Sequence, residues 1–519
     1  MIPIIDIFAG PGGLGEGFSS LLNESGERIF KIKLSIEKED HAHKTLQLRA
    51  FYRQFDQGAV PAEYYEVLRT EKSIDDMFAL YPTQSARAKA EAVQETLGAD
   101  SWQRVSSKIE GALHGESDWL LIGGPPCQAY SIVGRSRNKS KEGYEPLNDD
   151  KHFLYREYLR IIATFWPAVF VMENVKGLLS SKPDPKKDPI FARIVADLTA
   201  PTESDITTAP SARQHRYKLY SLSPRRTDEE PTGGEFVLRA EEHGVPQARH
   251  RVIVVGVRDD FSDEIPESLK KCPPVAISKV LKQMPALRGR ITDLEDSDAA
   301  WLNIFSEIED RRWFKSMGKF GPDGISEVAT RVIRGLTIPA AKRGGEFVAC
   351  TPGIGYLADW FLDSRLYGVC NHSSRAHMTK DLYRYFFAAC YASVAHSSPQ
   401  LAEFPTDLLP LHKNIPNAIL KHSMFLDRFR VQPWSRPAMT VTSHISKDGH
   451  YYIHPDPKQA RSLTVREAAR LQSFPDNYLF TGPRTAQYIQ VGNAVPPLLA
   501  REIAKSVSTL FLNRKPKHT

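Results

Sequence analysis

The sequence predicts an α/β protein: a doubly wound, mostly parallel sheet joined to a second, smaller, irregular domain. Three observations lead there. Short apolar runs recur without polar alternation, as strands covered on both faces of a parallel sheet do. Amphipathic helical patterns lie between them. A glycine-rich turn joins the first run to the first helix.

The elements follow in chain order. Ile2–Phe8, Lys31–Glu37, Trp119–Ile122 and Ala168–Met172 read as buried strands, and Arg251–Val257 is similar. Leu14–Asn23, His41–Phe51 and Phe153–Thr164 carry helical patterns between them. The long interval from Glu37 to the next run predicts an insertion within residues 50–115. Residues 180–235 are rich in Pro, Ser, Thr and charge and read as loops around one or two short elements. Residues 260–460 lose the strand–helix rhythm and suggest the separate domain. Near the end, Thr464-Val465-Arg466-Glu467 forms a capping box, in which the Thr hydroxyl and the Glu carboxylate each satisfy a backbone amide. Val465, Ala468, Ala469 and Leu471 then share a face. The expected division is 1–260 and 462–519 as one unit, with 261–461 as the other.

Composition bounds the function classes. The chain has 519 residues, 41% apolar and 25% charged, which excludes wholesale disorder and a fibrous repeat. Sixty-eight Lys and Arg against 62 Asp and Glu leave a net charge of +6, compatible with a nucleic-acid partner without demanding one. Five cysteines are too few and too scattered for a disulfide framework. The first residues carry Asp6 and no basic region, unlike a secretory signal. The longest uncharged apolar stretch, Ile161–Met172, is too short to span a bilayer. A cytoplasmic protein with no membrane association is expected.

Four constellations carry chemistry. Gly10, Gly12 and Gly15 have the spacing of a loop that brings a ligand to a helix N-terminus, and Glu37 ends the next strand where a carboxylate can accept ribose hydroxyls. On these residues alone the ligand could be NAD or S-adenosylmethionine. Gly123-Gly124-Pro125-Pro126-Cys127-Gln128 sets a free thiol at the carboxyl end of a central strand, stiffened by two prolines. Glu173-Asn174-Val175 ends the following strand, so a carboxylate shares the rim with Cys127. A thiol nucleophile and an acid suit attack on a ring that must be protonated as it is attacked. Arg249 and Arg251, two apart on an extended segment, suit an anion or a thiolate. Each has a plainer reading as a tight turn, a buried cysteine, a capping carboxylate and a solvated edge.

Taken together, these motifs resemble the DNA cytosine-5 methyltransferase family, of the bacterial or phage modification type. Asp6–Gly13 (DIFAGPGG), Gly123–Ser131 (GGPPCQAYS), Met172–Gly177 (MENVKG), Gln247–Arg251 (QARHR), Leu463–Asp476 (LTVREAARLQSFPD) and Gln490–Pro497 (QVGNAVPP) look like that family's motifs, in its order and across nearly the whole chain. The first motif begins at Asp6, and the large multidomain eukaryotic enzymes are poorer models.

The resemblance implies a Rossmann-like S-adenosylmethionine-dependent fold and a set of roles. Cys127 would attack carbon 6 of a cytosine flipped from the duplex. Glu173 would contact ring nitrogen 3 and the amino group, Arg249 and Arg251 would hold the base oxygen and the nucleophile loop, and Asn174 would position that loop. Phe8, Gly10, Gly12, Glu37, Pro126, Leu154, Asn493 and Val495 match cofactor-contact positions, with S-adenosylhomocysteine as product. The aspartate expected at the adenine amino group has no clear match, and Asp100 is its candidate. Gln128, Ser131, Arg135 and Arg137 would meet DNA from the nucleophile loop, where basic residues alternate as far as Lys141, a pattern that suits phosphates. Thr440 and Thr442 are candidate phosphate contacts, and 261–461 occupies the slot of the target-recognition domain.

The expected partner is double-stranded DNA bound by a monomer, with a restriction or defence partner in the same system. The alternatives are a tRNA cytosine-5 methyltransferase, a nicotinamide oxidoreductase and a silent DNA-binding relative. Cys370, His372, His377 and Cys390 lack the spacing of a zinc finger or ribbon, so no metal is expected. His372, Arg375 and His377 are expected on the polar or DNA-facing surface.

Overall fold

A computed structural model of the chain describes residues 1–56, 58–126, 154–181, 189–204, 215–224, 231–410 and 428–514. Its centre is one eight-stranded sheet. Strands β1 (Ile2–Ile7), β2 (Phe30–Glu37), β3 (Ala92–Gln94), β4 (Leu120–Gly123) and β5 (Val169–Val175) are parallel, in the order β3-β2-β1-β4-β5. After them come β6 (Tyr217–Tyr220), β7 (Val237–Arg239), the two-residue β8 (Gln247–Ala248) outside the sheet, and β9 (His250–Arg258). β9 runs antiparallel to β5, β6 and β7 and completes the sheet.

The apolar runs split between two cores, because successive side chains point to opposite faces. Ile4, Ile32, Leu120, Ile122, Val169, Val171, Ile253 and Val255 enter one. Ile5, Ile7, Leu34, Ile36, Leu121, Phe170, Met172, Val252 and Val254 enter the other. Neither face is left to water, which is why the runs show no polar alternation. The first core is covered by α1 (Gly13–Ser19) and by a C-terminal helix, Pro497–Leu512. The second is covered by three helices that follow α1 in the chain.

Between β2 and β3 run α2 (Asp40–Arg53) and then α3 (Ala62–Leu68), α4 (Ile74–Leu80) and α5 (Pro82–Glu91), the last three lying in the interval 50–115 where an insertion is expected. The helices over the second core are α6 (Trp102–Leu113), α7 (Leu154–Phe165) and α8 (Ile190–Thr199). Each buried Leu, Ile or Val side chain here contributes roughly 1.5–3 kcal/mol relative to exposure.

Beyond β9, Phe261, Leu269, Ile277, Val280 and Leu281 still pack on the first core, as do Ala438, Val441 and Ile445. A separate cluster extends from Ile291 to Ala460. Its axis is a helix, α9 (Thr379–Ala395), buried on every side from Asp381 to Ala392. Helical residues Trp301, Ile304, Phe305, Trp313 and Ile325 surround it. The regular elements of this cluster are mainly helices, and its lack of βα rhythm reflects helices packed around a buried helix. A hairpin of β10 (Gly344–Ala349) and β11 (Gly368–Ser373) lies beside it.

The capping box opens α10 (Val465–Leu471) as the sequence indicates: Thr464 accepts from the Glu467 amide, and Glu467 accepts from Thr464. The whole helix is buried, including its charges. Glu467 pairs with Arg461 at 2.7 Å, Arg470 forks onto Asp476 at 2.9 and 2.6 Å, and Arg466 donates to the carbonyls of Cys370 and Pro475. Removing one partner from such a buried pair costs about 3–5 kcal/mol, because the other charge is stranded.

His372 and His377 correct the surface expectation, being 0% and 4% exposed. His372 lies 2.9 Å from the Thr464 hydroxyl and 2.8 Å from the Pro285 carbonyl, and burial lowers its pKa to about 4, so the ring is neutral. Cys370 and Cys390 are buried in different places, Cys370 against α3 and Cys390 in the core around α9. No helix among the described residues is long and apolar enough to cross a membrane.

Candidate active site

The carboxyl ends of β1, β2, β4 and β5 form one rim, as the parallel pairing requires. At the end of β1 the chain turns through Phe8 in the left-handed region (φ 55°), uncommon for a side chain of this size. Gly10 donates its amide to Glu37 Oε2 at 2.8 Å, and Glu37 Oε1 takes the Glu39 amide at 2.8 Å. The acid at the end of β2 therefore spans the glycine loop. Gly12 sits at φ 97° before α1, and a Cβ there would lie 2.8 Å from Leu46 Cδ1 and 2.9 Å from the Tyr478 hydroxyl. Only glycine fits.

The loop is held from outside the first β–α unit. Tyr478 donates its hydroxyl to the Pro11 carbonyl. The Val495 carbonyl packs against Gly13, which brings Val495 to the loop. Asn493, the last residue of α11 (Arg484–Asn493), is exposed just before it. Leu154 opens α7, and Pro126 follows β4. Asp100 is exposed on a short turn past β3. Glu95 lies beside Glu37: its amide donates to the Glu37 carbonyl, and its carboxylate is taken by Arg104.

The strand expected to stop at Met172 continues to Val175, so Glu173 and Asn174 are strand residues held by β9. Glu173 pairs in register with Ile253, and Arg251, two residues earlier on β9, is its diagonal neighbour. Arg251 Nε lies 2.8 Å from Glu173 Oε1. A Cβ on Gly124 would lie 2.7 Å from Glu173 Oε2, so the missing side chain leaves room for the carboxylate. Asn174 donates to the Pro125 carbonyl at 3.3 Å and accepts from the Val175 amide at 2.7 Å. β5 thereby grips the segment leading to Cys127. Cys127, Gln128, Ser131, Arg135 and Arg137 lie outside the described residues.

The two arginines part company. Arg249 is buried, and its guanidinium donates to the carbonyls of Val441 at 2.7 Å, Gly492 at 3.2 Å and Asn493 at 3.5 Å. Burial, helped by the Arg251 charge, pushes its pKa well down, while the facing carbonyl dipoles favour the cation. It ties the end of α11 to the strand segment after β12 (Ala438–Met439), which pairs with β8. Thr440 donates to the Ala248 carbonyl at 2.6 Å, and the Thr442 hydroxyl lies 3.0 Å from that of Tyr452, so both have protein partners.

Three further residues belong to this neighbourhood. Tyr478 lies just past the capped-helix motif, and nothing local marks it as reaching Pro11. Gln247 bridges the Leu471 carbonyl, Gln472 and the Val441 amide. Asp6 is wholly buried in β1 beneath α1, with no hydrogen-bond partner for either oxygen among the described residues. Burial, opposed by Arg53, raises its pKa to about 8, so it is largely protonated at neutral pH. Its place inside the DIFAGPGG motif was the one available signal.

Comparison with known proteins adds to this geometry. The model of the family described as C-5 cytosine-specific DNA methylase matches residues 105–199 and 394–509. The type II methyltransferase M.Bpa9945I of Bacillus paralicheniformis is 33% identical in an alignment covering 98% of this chain and 99% of that one. M.AgeI, a type II methyltransferase of Thalassovita gelatinovora, is 25% identical over 97% of this chain and 98% of its own. The DNA (cytosine-5-)-methyltransferase M.ApeKI of Aeropyrum pernix is 26% identical over 76% of this chain and 81% of its own.

Proposed function

The chain belongs to the C-5 cytosine-specific DNA methylase family and is a DNA cytosine-5 methyltransferase, and on that premise we propose how its own residues divide the reaction. The family and fold imply use of S-adenosylmethionine. The glycine loop suits it, with a close-approach backbone at Gly10 and Gly12, the Glu37 carboxylate for the ribose hydroxyls, and Phe8, Pro126, Leu154, Asn493 and Val495 as walls. When bound, it supplies an electrophilic methyl group and leaves as S-adenosylhomocysteine.

The Cys127 thiolate adds to carbon 6 of a flipped cytosine, which turns carbon 5 into the nucleophile that takes the methyl group. Glu173 accepts from the exocyclic amino group and shares a proton with ring nitrogen 3 as the thiolate adds. Arg251, ion-paired to Glu173, fixes that carboxylate and faces the base oxygen. Asn174 sets the height of the nucleophile loop through Pro125. Arg249 acts through the backbone it holds, positioning Asn493 and Val495. Loss of the carbon-5 proton to a base then expels Cys127 and restores the ring.

Residues 1–260 and 462–519 form the catalytic unit in this reading, and 261–461 choose the target. The basic run from Arg135 takes phosphates. Relatives named type II methyltransferases support a modification role beside a restriction partner. In this reading the enzyme is a monomer that methylates one short duplex sequence.

The observation that carries the reading is the Glu173–Arg251 pair and the Asn174 clamp on one rim with the Glu37-braced glycine loop. The test is base-resolution conversion sequencing of DNA from a bacterium without cytosine methylation expressing this chain, beside Cys127→Ala. Methylcytosine in one short motif, absent with the variant, is expected. Methylation that survives Cys127→Ala would overturn the assignment of the nucleophile.

A further inference from the structure

Helices α3–α5, in the interval read as an insertion, touch the recognition region at several points. Tyr65 of α3 donates its hydroxyl to Asp363 Oδ2 at 2.8 Å. The Arg365 guanidinium lies 4.4 Å over the Tyr65 ring and donates to the Gly58 carbonyl at 3.1 Å. Cys370 donates its thiol to the Leu68 carbonyl, and Leu366 and Cys370 join the apolar cluster that α3 and α4 form on α2.

The same contacts lead back to the glycine loop. Asp363 Oδ2 also accepts from Asn477 at 2.8 Å, Asn477 Oδ1 accepts from Arg49 at 3.1 Å, and Arg49 forks onto Glu16 at 2.9 and 2.5 Å. Glu16 stands in α1, the helix that opens at Gly12. Tyr65, Asn477, Arg49 and Glu16 are all buried. A continuous polar chain therefore connects the insertion, the segment leading into β11 and the cofactor-side helix, and every link is a hydrogen bond with one donor and one acceptor.

We propose that the insertion is a brace that holds the target-recognition region in register with the cofactor loop, with Tyr65 and Arg365 as positioning residues for target choice. This rests on the reading that residues 261–461 select the target. A hydrogen bond fixes distance and direction where apolar packing alone lets surfaces slide, and a shift of the recognition region against a fixed active site admits wrong sequences. Among the described residues the hydrogen bonds of the brace to the recognition region go to the segment Asp363–Cys370, and none goes to Glu173 or Arg251, so its loss acts on discrimination and spares the chemistry.

The test compares the full chain with Tyr65→Phe, which removes only the hydroxyl, and with Arg365→Met, which keeps the apolar stem. Conversion sequencing defines the wild-type motif. Methyl transfer is then timed on duplexes bearing that motif and on duplexes with one base pair changed, and affinity for S-adenosylhomocysteine is measured by calorimetry. Each variant should lower the ratio of target to near-target rates by about tenfold, the worth of one hydrogen bond to a charged group, with cofactor affinity within about twofold of wild type. An unchanged ratio, whether or not the melting temperature falls, would overturn the brace. So would parallel loss of cofactor affinity and target rate, which marks a merely structural role. Absence of any methylated motif in the wild type would sink the underlying reading and the brace together, whereas a methylated wild type with unaltered variants sinks the brace alone.

Discussion

Gly124→Ala isolates the carboxylate of Glu173 without removing it. The new Cβ would lie 2.7 Å from Glu173 Oε2, about 0.7 Å inside the 3.4 Å at which ordinary contact begins. The atom in the way is the far end of a flexible side chain, so the fold yields at little cost. Gly124 has no left-handed φ that would penalise a side chain. What moves is the carboxylate, together with its 2.8 Å pairing to Arg251. Displacement of a reacting group by nearly an ångström costs on the order of 10²-fold in rate. The neighbouring Gly123→Ala provides the contrast: its Cβ would meet the Ile7 carbonyl at 2.4 Å, a backbone atom that cannot retreat. Gly124→Ala should therefore melt close to wild type with kcat down about a hundredfold, while Gly123→Ala should lose stability. The assay is labelled methyl transfer to the mapped duplex beside thermal unfolding. A Gly124→Ala enzyme within a few-fold of wild-type kcat would refute the claim that the carboxylate position limits the reaction.

Glu173→Gln should cut turnover far more than DNA affinity, because the amide keeps the shape of the side chain and loses its proton chemistry; single-turnover rates and filter binding separate the two. Tyr478→Phe leaves the Pro11 carbonyl without its donor and should weaken cofactor binding about fivefold, read by calorimetry with S-adenosylhomocysteine. Asp6 has a folded pKa of about 8 against an ordinary 3.8, so the fold favours its protonated form, and its contribution to stability is lost as pH rises between those values. From pH 5.5 to 8.5 wild type should lose roughly 3 kcal/mol that Asp6→Asn does not, measured by urea unfolding at both pH values.

The local structure around the central sheet was legible because each signal lies within a few residues. Buried strands betray themselves by uninterrupted apolar runs, the glycine loop by its spacing, and the α10 cap by Thr464 and Glu467. The strand extension through Glu173 and Asn174 was not legible, because polar residues at a strand end look like loop until a partner strand pairs with them. The burial of His372 and His377 was equally hidden. A polar residue looks exposed in sequence until a specific hydrogen-bond partner, here the Pro285 carbonyl for His372 or Ser462 for His377, is brought to it.

The amino-acid sequence by itself determined the α/β sheet, the family, and the candidate acid and arginines around the end of β5. The tertiary structure alone decided that Arg251 pairs with Glu173 while Arg249 is spent on backbone carbonyls, that Asp6 is buried beneath α1, and that α3 reaches Asp363. The reason is range. Periodicity and capping act between residues a few positions apart, whereas these contacts join residues tens to hundreds of positions apart, as Glu173 and Arg251 or Tyr65 and Asp363 do, and exist only once the chain has packed.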